Sequence, residues 1–377
     1  MRLRAPPVAL LYLARNMAHM TALTLLAFVT LFLFFGILDE IDKVGRGTYT
    51  LTKMLTWAAL QVPANIAELA PVAALIGGIV ALAQLASGSE ITILRAAGLS
   101  TRRLAVWIVL IALPFAAVVW IVSDVVTPWS VQRAETLRLS ALQVAAGQEL
   151  ASGRWLKDNT GLAPGFTRYA NAGRLAPDGR VERVSLYEFD AERRLTRVIT
   201  AQRGEVAPGG WMLHGVQEVR FARALGPLGE SVSTQAGTMD SWMWNTAVSP
   251  KVFGSISRTA EEMSLIELGR TIRFLAENQQ RTTALEQAFY QKLFVPLSVI
   301  VMLLLALPFA FLQSRAGGVS AKMFVGILLG VLFHTLNRLF SHLGNLNTWP
   351  PLFTAVAPLL VGLALAAALL WWVQRTR

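Results

Sequence analysis

Residues 20–38 read MTALTLLAFVTLFLFFGIL, without a single charge. A helix rises 1.5 Å per residue, so this stretch covers about 28 Å, close to the hydrocarbon thickness of a bilayer. It is too long for the apolar core of a signal peptide and has no convincing small-residue cleavage site. It therefore reads as a retained membrane helix. Working outward, five more stretches qualify, near 58–84, 104–123, 293–313, 319–341 and 352–373. The second carries Pro63, Pro71 and the pair Gly77-Gly78. The whole chain of 377 residues agrees with this reading, being 54% hydrophobic and only 15% charged. Soluble domains carry about 25% charged residues.

Charge orients the spans. The N-terminal tail, the loops after spans two and four, and the C-terminal tail hold ten bases (Arg2, Arg4, Arg15, Arg95, Arg102, Arg103, Arg315, Lys322, Arg375, Arg377) against one acid, Glu90. The loop after span one is balanced, and the loop after span five has no Lys or Arg. Positive charge stays on the cytoplasmic side. Both termini are thus expected in the cytoplasm, with the first loop, the 124–292 region and the fifth loop outside. The net charge of +11 reflects this topology and not a nucleic-acid groove. Cysteine is absent, which excludes disulfide scaffolds, thiolate metal sites and thiol catalysis.

Three regions follow: 1–123 with spans one to three, 124–292 outside, and 293–377 with spans four to six. Within the second, about 152–245 reads as short strands. Trp211 and Leu213, Val219 and Phe221, and Trp242 and Trp244 are spaced two apart, as one strand face requires. Turns are marked by Pro177-Asp178-Gly179, Pro208-Gly209-Gly210 and Gly226-Pro227-Leu228-Gly229. The pattern predicts a sandwich or jelly roll. Thr259-x-x-Glu262 reads as a capping box before a helix with Leu265, Leu268, Ile272 and Leu275 on one face, and Thr283-x-x-Glu286 as the start of the helix entering span four.

No phosphate-binding loop, nucleophile elbow, zinc-protease helix or EF-hand loop occurs. His214 lacks triad partners and reads as a packed or solvated histidine. The acids Asp39, Glu40 and Asp42 form either a cation site or, more commonly, a solvated helix end. Three features stand out. In the cytoplasmic loop Ser87–Ser100, Ser89 can cap a short helix, Glu90 sits at its positive end, and Gly98 can stop it. It is either an interfacial turn or a docking helix for a partner. In span five, His334, Asn337, Arg338, Ser341 and His342 share one helix face. They either snorkel to the interface or face protein and water. In span two, Gln61, Asn65 and Glu68 form a similar stripe. Both stripes lie toward the outer side, so the two spans could share a polar vestibule in which Glu68 and Arg338 pair.

These stretches carry a resemblance. GILDEIDKVGRGTY (36–49), VPANIAELAPVAALIGGIVALAQLASGSEITILRAAGLS (62–100), KLFVPLSVIVMLLLALPFAF (292–311) and NRLFSHLG (337–344) followed by Pro350-Pro351 resemble the LptF/LptG family of lipopolysaccharide-export permeases, nearer its LptG branch. The resemblance covers nearly the full length. It implies an α-helical integral membrane protein with six transmembrane helices, three and three, and an inserted periplasmic β-jellyroll in the bacterial inner membrane. It also implies an LptF-type permease as partner, an LptB-type ATPase dimer that uses ATP and Mg, an LptC-type bridge protein, and an LptA-type periplasmic bridge. No cofactor bound by this chain is implied. Ser89–Gly98 becomes the ATPase-coupling helix, through Ser89, Glu90, Ile91, Leu94, Arg95 and Gly98. Family members can carry lysines where span one meets the periplasm, for the lipid's phosphates. Here Asp39-Glu40-Ile41-Asp42 occupies that stretch, and the role moves to Lys43 and Arg46. After span three Arg138 matches a basic position, while Glu135 stands where another base can occur and Arg133 substitutes for it.

The expected lipid path is basic at the outer surface (Lys43, Arg46, Arg133, Arg138, Arg338) and apolar below (Phe32, Phe34, Phe35, Leu332, Leu336), with Asn65, Glu68, His334 and Asn337 as polar intramembrane groups. Two other readings stay open at this point: a membrane-anchored enzyme acting on a lipid headgroup, and a structural or regulatory membrane scaffold.

Overall fold

The computed structural model describes residues 8–142, 154–175, 180–226, 229–246, 248, 260–278, 280–311, 319–347 and 349–375. Arg2, Arg4, Arg315 and Arg377 of the orienting charges, the Pro177–Gly179 turn and Thr259 lie outside them. Among the described residues six helical runs are long and apolar enough to cross a membrane.

The helices are α1 (Val8–Ile41), α2 (Leu51–Ser87), the short α3 (Glu90–Ala96), α4 (Thr101–Ile121) and α5 (Thr127–Ala141), then, after the β region, α6 (Leu265–Glu277), α7 (Thr283–Ala306), α8 (Val319–Asn347) and α9 (Pro351–Arg375). Their ends are set locally. The hydroxyls of Thr50 and Ser100 accept from the backbone N–H of Lys53 and Arg103, starting α2 and α4. The expected capping box is present five residues further on, at Ser264 and Glu267. α7 begins where Thr283-x-x-Glu286 placed it, with the Thr282 hydroxyl donating to Glu286 at 2.5 Å.

α2 is the central helix. It packs against α1, α5, α7 and α8, while α9 covers α7 and α8. Its buried face carries Ala70, Ala73, Ala74, Gly77, Gly78 and Ala81, small residues that let neighbouring backbones approach. Pro63 and Pro71 each remove one N–H from its hydrogen-bond ladder, yet the helix runs through both. The apolar core joins Leu13 and Met17 of α1, Leu75, Ile79 and Leu82 of α2, Ile108 of α4, Met302 of α7 and Leu359 of α9.

The third span continues past its expected end at 123. α4, a π-helical turn at Val122–Val126 and α5 form one run from Thr101 to Ala141. Its 41 residues reach about 60 Å, twice the hydrocarbon thickness. The tip of α5 is fastened by the α1–α2 loop: the backbone N–H and hydroxyl of Thr48 donate to the Ala141 carbonyl at 2.7 and 3.1 Å. Tyr49 is buried there with Met54 and Ala141, and burial pushes its phenol up to about 12.

The β region is one six-stranded antiparallel sheet in sequence order: β1 (Arg154–Lys157), β2 (Thr167–Leu175), β3 (Val181–Phe189), β4 (Leu195–Ala207), β5 (Gly210–Gly226) and β6 (Gly229–Asn245). The expected jelly roll takes the form of a single creased sheet. Gly173, Arg183, Gln202, Gly215 and Asp240 are opposite one another on five successive strands, and each drops out of the pairing while the register on both sides is unchanged. Arg183 and Gly215 have left-handed backbones, with φ of 54° and 64°. Across this line the inward face changes parity, from Val181 to Val184 on β3 and from Leu213 to Val216 on β5. This is why Val219 and Phe221, unlike Trp211 and Leu213, are only half-buried. Residues from both sides of the crease meet in one core. There Trp211 donates to the Val248 carbonyl at 2.6 Å and Trp244 to Asp158 at 2.9 Å. Phe274 and Leu275 of α6 close it.

Candidate functional site

The two polar stripes meet. A cavity of about 890 Å³ lies between α2, the third span, α7 and α8. Gln61 and Glu68 line it from α2, and His334, Asn337, Arg338, Ser341 and His342 from α8. Asn65 is not among its lining residues. Arg338 and Glu68 pair at 3.2 Å as expected. Arg338 is not buried, however: its side chain is 73% exposed and that of Glu68 44%. The pair sits at the cavity's open side, where an ion pair contributes about 0–1 kcal/mol.

Sequence reading missed the opposite wall. Ser123 and Thr127 face the cavity from the π turn and the start of α5, Glu262 from the turn before α6, and Gln291 and Lys292 from α7. Lys292 is buried and donates to the Met263 carbonyl, and Gln291 donates to the Ser341 hydroxyl. The available signal was Lys292 itself, a charge directly before the apolar run of span four.

The expected apolar wall lies elsewhere. Leu332 and Leu336 occupy the face of α8 turned away from His334 and Arg338, since 100° per residue puts them roughly opposite, and neither lines the cavity. Phe32, Phe34 and Phe35 are exposed on the outside of α1.

The five expected bases separate into two groups. Lys43 and Arg138 converge on Glu40, whose buried carboxylate accepts from Lys43 Nζ at 2.6 Å and from Arg138 Nε at 2.8 Å. Arg138 also reaches Glu135 at 3.3 Å. The acid run after span one is therefore neither a cation site nor a solvated end at Glu40, because that side chain holds two helices and a loop together. Arg46 and Arg133 are exposed, with Arg133 stacked over Trp129 at 4.5 Å on a different face of α5 from Arg138. His214 is half-buried on β5, 4.0 Å from Glu205.

At the other end of the spans, α3 forms as expected with one correction. Ser89 is left-handed, with φ of 62°, and its side chain makes no capping bond. The start is marked instead by Glu90, which accepts a hydrogen bond from the Tyr12 hydroxyl at 3.2 Å. The stop is a Schellman turn: Gly98 has φ of 93°, its N–H donates to Arg95, and that of Leu99 to Leu94. Ile91 is buried and anchors the helix, Leu94 is half-buried, and Arg95 lies over the Phe311 ring at 5.4 Å. Thr92, Ile93 and Ala96 face outward.

Six membrane-crossing helices split by an inserted β domain, a short helix projecting between the second and third spans, and a polar cavity among the helices define a multi-pass membrane permease. The chain belongs to the LptF/LptG family: residues 11–372 match the family described as lipopolysaccharide export system permease LptF/LptG. It is similar to the lipopolysaccharide export system permease protein LptG of Haemophilus influenzae, 28% identical over 363 residues and 96% of each chain. It is also similar to the LptG protein of Escherichia coli, 26% identical over 349 residues, which cover 92% of this chain and 93% of that one. Family membership does not favour the enzyme and scaffold readings.

Proposed function

We propose that this chain is the LptG-type permease of a lipopolysaccharide exporter, paired with an LptF-type permease and driven by an LptB-type ATPase dimer that binds the ATP and Mg. It passes the lipid to LptC-type and LptA-type periplasmic proteins. The observation that carries the reading is α3. It is a seven-residue helix, anchored by buried Ile91, with Glu90 at its start and an outward apolar side chain in Ile93. A carboxylate so placed accepts charge-assisted bonds from a partner's arginine. The lipid's phosphates meet Arg46, Arg133 and Arg338 first, because Lys43 and Arg138 are engaged by the buried Glu40, whereas the Arg338–Glu68 pair is exposed and open to exchange.

Affinity purification from native membranes tests the reading. The expected result is recovery of an ATPase and a second six-span subunit with this chain. In Glu90→Ala the second subunit remains and the ATPase is lost or weakened by at least about tenfold, since truncating one side of a desolvated pair costs about 2–5 kcal/mol. Recovery of the chain alone, or undiminished ATPase in the variant, rejects it. Orientation has its own test. Topology reporters fused after residues 200 and 377 should report opposite sides, with 377 cytoplasmic, as the positive charge requires. Reports from the same side would overturn the six-span arrangement.

A further inference from the structure

The π turn at Val122–Val126 places one acid, Asp124, where it reaches across to the β domain's carrier helix. Its Oδ1 accepts the backbone N–H of Leu265 at 2.7 Å. Leu265 is the first residue of α6, and Ser264 and Glu267 already satisfy their own pair of donors in the capping box. Asp124 thus satisfies one further N–H at the positive end of a helix, where a carboxylate is favoured. α6 in turn is tied to the β domain at its far end. Asn278 accepts from the Asn159 N–H at 2.8 Å, Gln280 donates to the Lys157 carbonyl at 3.0 Å, and Phe274 enters the β core.

The other end of the third span begins three residues after the Schellman glycine that closes α3. From Thr101 to Asp124 the chain is continuous helix, about 35 Å long. The helix thus offers an unbroken path from the residues that follow α3 to Asp124. π turns inside helices recur at functional positions. This one borders the polar cavity, and the Thr127 hydroxyl beside it is buried without a hydrogen-bond partner among the described residues. On that side the turn is not packed solid.

We propose that Asp124 is a positioning residue through which the third span carries motion from α3 to the β domain, by its hydrogen bond to the start of α6. The coupling role rests on the proposed transporter function. The clasp itself does not, and the two are tested separately.

The chain has no cysteine, so Val118→Cys on the exposed face of the third span and Thr238→Cys on exposed β6 give clean spin-label positions. Distances are measured on the full chain in lipid nanodiscs without any partner. Three variants are compared. Asp124→Ala removes the acceptor, and Asp124→Asn keeps an acceptor oxygen. Leu265→Pro removes the N–H at the first helical position, where proline is well tolerated, and the extended backbone of Ser264 (ψ 160°) suits a following proline. The expected result is a broadened distance distribution in Asp124→Ala and Leu265→Pro, no further broadening in their combination, and a parental distribution in Asp124→Asn. In the reconstituted transporter Asp124→Ala and Leu265→Pro should hydrolyse ATP within twofold of the parent while lipid transfer falls about tenfold, as expected for losing a charge-assisted bond. Should Asp124→Ala insert poorly, Leu265→Pro still decides.

Unchanged distances in Leu265→Pro overturn the clasp. Broadened distances with undiminished lipid transfer overturn its role in coupling. A parent complex that moves no lipid overturns the transporter function and leaves the clasp to be decided by the distances.

Discussion

Glu40→Ala lowers the thermal midpoint of the detergent-solubilised protein far more than Glu68→Ala, although each removes one carboxylate from a cross-helix ion pair. The Glu40 side chain is 3% exposed and receives both Lys43 and Arg138, whose side chains are 30% and 20% exposed. Removing one partner of a buried charge network costs about 3–5 kcal/mol, because the remaining charges stay desolvated without compensation. The partial exposure of the two bases places the expected loss near the lower end. Glu68 faces a largely exposed Arg338, so its loss is worth about 1 kcal/mol at most. Glu40→Gln retains shape and an acceptor and should fall between them. Thermal unfolding followed by intrinsic tryptophan fluorescence in detergent measures all three. Equal shifts for Glu40→Ala and Glu68→Ala would refute the assignment of Glu40 as the fastener of α1 and its loop to α5.

The same contrast shows what sequence could reveal. Six apolar runs are self-announcing, since no soluble helix needs about twenty residues so apolar that they hold two charges at most. Helical periodicity placed His334, Asn337, Arg338, Ser341 and His342 on one face, and they line one cavity. That periodicity also turns Leu332 and Leu336 away from it, so assigning them to the same vestibule wall asked one helix face to be in two places. Contacts between distant segments are another matter. Glu40 and Arg138 are 98 residues apart, and their meeting depends on how far α5 extends and how the α1–α2 loop folds over its tip. Asp124 was hidden for a related reason. A π turn breaks the 100° step, so extrapolating an α-helical wheel past Ile121 misplaces every later side chain. In the β region the period of two held within each half-strand and failed across the crease, which a left-handed Arg183 does not advertise. α3 was legible at its glycine stop and in Glu90 at its start, but not in its cap, because a serine before a glutamate suggests a side-chain bond that the left-handed Ser89 does not form.

Adjacent glycines in α2 supply the second large effect. A Cβ on Gly77 would lie 2.4 Å from the Cα and 2.6 Å from the N of Thr21, both backbone atoms of α1. A Cβ on Gly78 would meet the Leu303 Cδ2 at 3.0 Å and the Ala306 Cβ at 3.1 Å, side-chain atoms of α7. Alanine is favoured over glycine within a helix by about 1 kcal/mol. At position 78 that gain offsets a turn of the Leu303 side chain and a shift of a few tenths of an ångström at Ala306, and Gly78→Ala should be close to neutral. At position 77 a backbone must move. Overpacking of this kind costs about 1–3 kcal/mol, occasionally more, and here the cost falls on the one extensive interface that α1 makes among the described residues, since it touches α4 only slightly. Displacing α1 also shifts Tyr12 from Glu90 at one membrane face and Glu40 from Arg138 at the other. Gly77→Ala is therefore expected to lower the thermal midpoint and to lose ATPase association together, while Gly78→Ala keeps both. Thermal unfolding and co-purification of the two variants, prepared side by side, measure this. If they behave alike, the close crossing of α1 over Gly77 is not what holds the first span.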